Sequence, residues 1–198
     1  MTALTFCALR RANAARCEGG FNHRLGDWSP ADWMVAIGGE VGEALNLVKK
    51  LNRERDGIKG NTLSRADLVQ RLGSEISDAV IYVDLTLASF DLELFGELRE
   101  PANFDQLMAM ARRGLQVNPL GFSMSQAGEG ILRGLGKLAT ATYQRDRMAV
   151  AGTAATLVLE LAGLAELAGI DLGPALVATF NATSDKIGWQ PRLEESPA

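Results

Sequence analysis

The stretch "GGEVGEALNLVKK", Gly38 to Lys50, sets Glu40 and Glu43 among apolar residues rather than opposite them. With Glu40 at zero on a helical wheel, and about 100° per residue, Trp33, Ala36, Ile37, Ala44, Leu47 and Leu51 fall within about 60° of it. Glu43 lies about 60° away on the same side, and Lys49, Asn46 and Gly38 take the far side. The stretch "SEISDAVIY", Ser74 to Tyr82, repeats the arrangement. Leu68, Leu72, Ala79, Tyr82, Thr86 and Phe90 share an arc with Glu75 and Asp78, whereas Asp84 points away. Two helices are therefore expected, each carrying an acid pair on its apolar side.

Working outward, Val, Ile, Tyr and Thr never alternate with polar residues over a useful length, while Ala, Leu, Glu and Arg recur at helical spacing. The fold class is all-α, arranged as a four-helix-bundle-like single domain over residues 1–198. Gly and Pro punctuation at "GGFNHRLGDWSP", "RDGIKGN", "NPLGF" and "GIDLGP" predicts helices near 2–17, 31–53, 64–96, 103–115, 123–145, 148–168 and 173–186. Ser29-Pro30 opens the second, with the serine as N-cap and the proline at the first helical position.

The chain has 198 residues, 47% of them hydrophobic, enough for a core without a disulfide or metal staple. A net charge of −4 argues against nucleic-acid binding by the whole surface. Cys7 and Cys17 lack the spaced pairs of a zinc site, which leaves a reducing, cytoplasmic setting as the expectation. The first residues, "MTALTFCALRRANAARC", do not read as a secretory signal, and no apolar run reads as long enough to span a membrane.

Residues 22–96 hold both motifs, and residues 103–193 read either as a degenerate second half or as helices alike only in composition. "VDLTLASFDLELF" (Val83 to Phe95) echoes "LAGLAELAGIDLGPAL" (Leu161 to Leu176), including the Asp-Leu pairs at Asp91 and Asp171. In a duplication Glu129 answers to Glu40, while Leu132, Ala155 and Val158 stand where Glu43, Glu75 and Asp78 would be. The second half would then be chemically empty.

Four carboxylates gathered in a partly apolar setting repel one another, so they take up protons or recruit a cation. Oxygen-only ligands suit Mg²⁺, with Mn²⁺ as an alternative. A di-iron site would need Glu-x-x-His pairs, and the single histidine, His23, lies in a loop.

The spacing E-x-x-E (Glu40, Glu43) then E-x-x-D (Glu75, Asp78), within "GEVGEA" and "SDAVIY", resembles the all-α nucleoside triphosphate pyrophosphohydrolase superfamily, which includes MazG, the dimeric dUTPases and the dCTP pyrophosphatases. The likeness covers Trp28 to about Phe90, and "FNATSDKIGWQPRL" (Phe180 to Leu193) resembles the closing segment of that family. The resemblance implies that the four acids hold Mg²⁺ while a nucleoside triphosphate is cut between its α- and β-phosphates, with Glu40 as the base and Glu43 as its catalytic companion. It also implies a homo-oligomer, a dimer in the first instance, unless this chain supplies both halves of the four-helix unit itself.

By the same resemblance, Tyr82, Trp28 and His23 would lie against the nucleoside, and Asn181 and Lys186 would touch sugar or phosphate. For Tyr82, a core tyrosine is the other reading, and for Asn181 and Lys186 a helix end with a solvated lysine. Lys50 stands where dCTP-type enzymes carry a base-stacking tryptophan, which counts against a dCTP-like pocket. Between the motifs lie Lys49, Lys50, Arg53, Arg55, Lys59, Arg65 and Arg71, either a basic arm folding over the triphosphate or a solvated loop. Arg71, one turn before Glu75, is the best placed of these to reach inward. The rival from another class is a non-catalytic helical protein that binds nucleotides or a partner and keeps the acids as a relic.

Overall fold

The computed structural model describes residues 3–96, 100–117 and 121–194. The predicted helix start at residue 2 and the turn residues 118–120 lie outside these. The described residues form seven α-helices: α1 (Phe6–Ala15), α2 (Pro30–Arg55), α3 (Arg65–Ser89), α4 (Phe104–Gln116), α5 (Met124–Gln144), α6 (Arg147–Ala168) and α7 (Leu172–Lys186). No strand occurs among them; a single bridge joins Thr5 to Asn103.

Local chemistry starts these helices where the sequence indicates. Ser29 accepts from the Asp32 amide and Asp32 reciprocates, with Pro30 in the first turn. Ser64 and Asp67 repeat this box at α3, and Ser123 and Gln126 at α5. Each such cap contributes about 1 kcal/mol by satisfying amides that the helix leaves unpaired.

The end of α3 departs from expectation. Instead of continuing to residue 96, the helix stops at Ser89, where Asp91 takes a left-handed conformation (φ 52°) and the Leu92 amide turns back to Leu87 O at 2.9 Å. Apolar residues continue past the stop as a turn, with Leu94 and Phe95 buried.

α2 packs on α3 and on α5, α5 on α6, and α3 on α6, so the four long helices form a bundle of two hairpins within one chain. Gly128 brings α2 and α5 together, since a Cβ there would lie 2.8 Å from Leu45 Cδ2. The shared core includes Ile37, Leu51, Leu72, Ile76, Leu138 and Leu161, all 0–1% exposed. Each such side chain stabilises the fold by about 1.5–3 kcal/mol relative to exposure.

α6 corrects a second expectation. An 18-residue window of this 22-residue helix has a mean hydropathy of 1.7 and meets the length and composition of a membrane span, but half of that window is buried within the bundle. A helix with neighbours on several sides is apolar around most of its girth for that reason, and α6 packs on α3, α4 and α5.

α1 lies across α3 and is fixed by the acid that points away from the motif. Asp84, 1% exposed, pairs with Arg10 at 2.8 Å and accepts from Asn13 Nδ2 at 3.1 Å. Arg10 also donates to the backbone oxygens of Leu92 and Asp84. Past α1, residues Arg16–Gly20 widen into one π-turn that leads toward the acid-bearing helices.

Candidate metal and nucleotide site

α2 and α3 present the motif acids along their shared seam. Glu40, Glu43 and Glu75 each offer a carboxylate oxygen, and these lie within 4.8 Å of one another. Asp78, one turn beyond Glu75, falls outside that group but adjoins it closely enough to repel the Glu40 charge. The acids stand at the border of the apolar face rather than beneath it. Glu40, Glu75 and Asp78 are half-buried and Glu43 is exposed, whereas Trp33, Ile37, Ala44 and Leu47 on the same side of α2 are buried. A carboxylate three residues from another lies to one side of the arc, and here that side opens to solvent.

Burial, then repulsion by Asp78, Glu75 and Glu43, pushes Glu40 up to about 7. Burial first, then Glu75, pushes Asp78 up to about 6 despite Arg16 and Lys186 nearby. Glu75 is raised by burial and by Glu43. The acids thus sit in a field that favours a proton or a cation among them. An octahedral Mg²⁺ with bonds of about 2.1 Å holds adjacent ligand oxygens about 3 Å apart and opposite ones about 4 Å apart. Oxygens within 4.8 Å of one another form an all-oxygen donor set, the type that hard divalent ions take.

Next to the acids, toward the start of α2, four rings meet. His23 and Trp28 stand edge to face at 4.9 Å, Trp28 and Trp33 at 4.6 Å, and Tyr82 lies 6.4 Å from Trp33. Trp28 is 37% exposed and Trp33 only 1%, with its Nε1 buried and without a hydrogen-bond partner. Tyr82 is half-buried, and its phenol is raised by burial and by Glu40 and Asp78. Cys17 Sγ lies 3.8 Å from His23 Nδ1 and tethers this loop to the π-turn.

The remaining expected residues divide. Arg71 is exposed but acts on Glu75, and Lys186 is exposed and acts on Asp78. Lys50 is half-buried and lines a small cavity of about 110 Å³ with Arg53, Asn61 and Leu63. Asn181 does not face the acids with a free amide: its Nδ2 donates to Leu193 O at 3.0 Å and its Oδ1 accepts from Leu193 N at 2.9 Å. It pins the closing segment. The basic arm is reduced in the same way, because most of it is helix and only residues 56–64 form a loop. Arg53 holds Lys59 O, Arg55 pairs with Asp56, and Arg65 pairs with Glu54.

Sequence reasoning did not single out Arg16, Trp33 as a ligand-facing group, or Trp189. Arg16 had one signal: it follows Leu9 and Asn13 at helical spacing, and both are buried. Comparison of the chain with protein-family models, with curated proteins and with solved structures gives no match.

Proposed function

We propose that the chain is a Mg²⁺-dependent nucleoside triphosphate pyrophosphohydrolase that releases a nucleoside monophosphate and pyrophosphate. The observation that carries this reading is the convergence of Glu40, Glu43 and Glu75 within 4.8 Å, with none of the ion pairs among the described residues reaching them, beside a group of exposed and half-buried rings. An acid cluster without internal neutralisation favours a divalent ion, and an adjoining aromatic surface favours a planar base.

Glu40, Glu43 and Glu75 would hold Mg²⁺, with Asp78 completing the set after a side-chain rotation. The ion would supply charge neutralisation to the polyphosphate and Lewis acidity at the phosphorus being attacked. Glu40 is the proton acceptor for the attacking water in this reading, because a carboxylate beside the ion can take the proton as the water attacks. Trp28, His23 and Tyr82 orient the nucleoside, while Arg71 and Lys186 offset charge developing on the phosphates.

The test is incubation with a panel of ribo- and deoxynucleoside triphosphates and Mg²⁺, scoring monophosphate against diphosphate. Monophosphate plus pyrophosphate is expected from at least one substrate, and Glu43→Gln should lower the rate by about 10² or more. Release of orthophosphate and diphosphate instead, or unchanged turnover in Glu43→Gln, contradicts the reading. Absence of turnover on every nucleotide favours the non-catalytic binding protein.

A further inference from the structure

Close enough to Asp78 and Tyr82 to feel both stands a buried cation that forms no ion pair among the described residues. Arg16 opens the π-turn, is 4% exposed, and lies flat over the Phe180 ring with its guanidinium carbon 3.6 Å from the centroid. A guanidinium carries five N–H donors. Its one hydrogen bond runs from Nη1 to Phe180 O at 2.7 Å, which leaves Nε and Nη2 unused among the described residues. Asp78 is the strongest charge acting on it, yet the two form no direct ion pair.

Arg10, a turn and a half earlier, meets a carboxylate and two carbonyl oxygens. Arg16 Nε and Nη2 have no such partner among the described residues and still reach solvent, so a largely buried guanidinium keeps two donors open to an incoming acceptor. Burial lowers Arg16 only to about 10, so it is a full cation at neutral pH. A second orphan lies in the same neighbourhood, the buried Nε1 of Trp33, which lacks a partner. Tyr82 connects the two, lying 6.4 Å from Trp33 and acting electrostatically on Arg16. The two observations are independent: Trp33 Nε1 lacks an acceptor, and Arg16 has open donors with a positive charge that suits an anionic one.

We propose that Arg16 is the receptor for the phosphate group joining the nucleoside to the rest of the substrate. The proposal rests on the nucleotide reading above and assigns the part of the site that works without metal. A phosphate oxygen on Nε and another on Nη2 match the forked donor geometry for which guanidinium is suited. Trp189 steadies that geometry: its ring covers the π-turn so closely that a Cβ at Gly19 would lie 2.6 Å from Trp189 Cη2. The Asn181 and Leu193 bonds hold the same segment down.

The experiment is a binding cycle in EDTA, read by tryptophan fluorescence and calorimetry. Each 2′-deoxynucleoside is compared with its 5′-monophosphate on the wild type, Arg16→Gln and Arg16→Lys, below the melting temperature of every variant. In the wild type the phosphate should tighten binding about tenfold to a hundredfold for at least one base, the range of a hydrogen bond to a charged group. Arg16→Gln should erase that increment while nucleoside affinity stays within about threefold, and Arg16→Lys should retain part of it. If Arg16→Gln does not fold, Arg16→Lys carries the comparison through its loss of the forked contact. An increment unchanged in both variants, or no increment in the wild type, overturns the proposal. Turnover of triphosphates by the wild type is scored separately: turnover without a phosphate increment refutes the role of Arg16 alone, whereas no turnover and no binding of any nucleotide refutes the nucleotide reading as well.

Discussion

α3 carries acids on two faces, and they are treated in opposite ways. Asp84 is buried and held by Arg10 and Asn13 in a geometry that leaves its oxygens satisfied. Glu75 and Asp78, a few turns earlier, meet Glu40 and Glu43 instead, and their nearest cations stand apart. A carboxylate that serves the fold is given its counter-ion by the chain. Those left facing other carboxylates cost stability, which is the expected mark of groups kept for a ligand.

Removing the partner of the satisfied acid should produce the largest effect. Arg10→Ala strands Asp84 in the interior and is expected to lower stability by about 3–5 kcal/mol. Urea unfolding measures this, and the response of the variant to Mg²⁺ should be unchanged. Next in size is the cation itself. Mg²⁺ at a hundred times its dissociation constant should raise stability by about 2.7 kcal/mol, seen as a higher melting temperature in the wild type and in Arg10→Ala alike.

Glu40→Gln should then act in two directions. It removes a repelled charge, so the metal-free protein gains stability, limited by solvent screening to about 1 kcal/mol or about 2–4 °C. The same variant should lose the Mg²⁺-dependent rise, which a simple loss of repulsion in a structural bundle does not predict. Melting curves with EDTA and with Mg²⁺ separate the two.

The pH dependence follows from the same acids. Glu40 is raised from 4.5 to about 7 and Asp78 from 3.8 to about 6. The folded protein therefore holds protons that the unfolded chain has already released. The stability they contribute is complete below about pH 4 and is lost as pH rises through about 6 to 7. The contribution of this cluster to metal-free stability should fall across that window, while stabilisation by Mg²⁺ should grow. The smallest effect belongs to the second hairpin, where Glu129 pairs with Arg133 at 2.6 Å on an exposed surface. Glu129→Gln should change stability by no more than about 0.5 kcal/mol and leave the metal response intact.

Much of this was legible in the sequence because it depends on local order. The helical periods of "GGEVGEALNLVKK" and "SEISDAVIY", with Ser29-Pro30 as a helix start, locate α2 and α3 and put three acids together. What was not legible depends on distant pairing. Arg10 and Asp84 are 74 residues apart, and Arg16 and Phe180 are 164 apart, so apart from its helical spacing after Leu9 and Asn13 no neighbour in sequence marks Arg16 as buried. Asn181 was expected to touch sugar or phosphate, yet its amide is committed to Leu193, twelve positions on. The end of α3 was hidden because "SFDLELF" stays apolar while Asp91 turns the chain.

Direct titration of a divalent ion decides the central claim, and Mn²⁺ followed by electron paramagnetic resonance reports it without requiring turnover. At pH 8 the wild type should remove free Mn²⁺ from solution with a defined stoichiometry, Mg²⁺ should displace it, and both Glu43→Gln and Glu75→Gln should weaken binding at least about tenfold. Wild-type protein that leaves Mn²⁺ free at millimolar concentration, or variants that bind it as well as the wild type, would contradict the account.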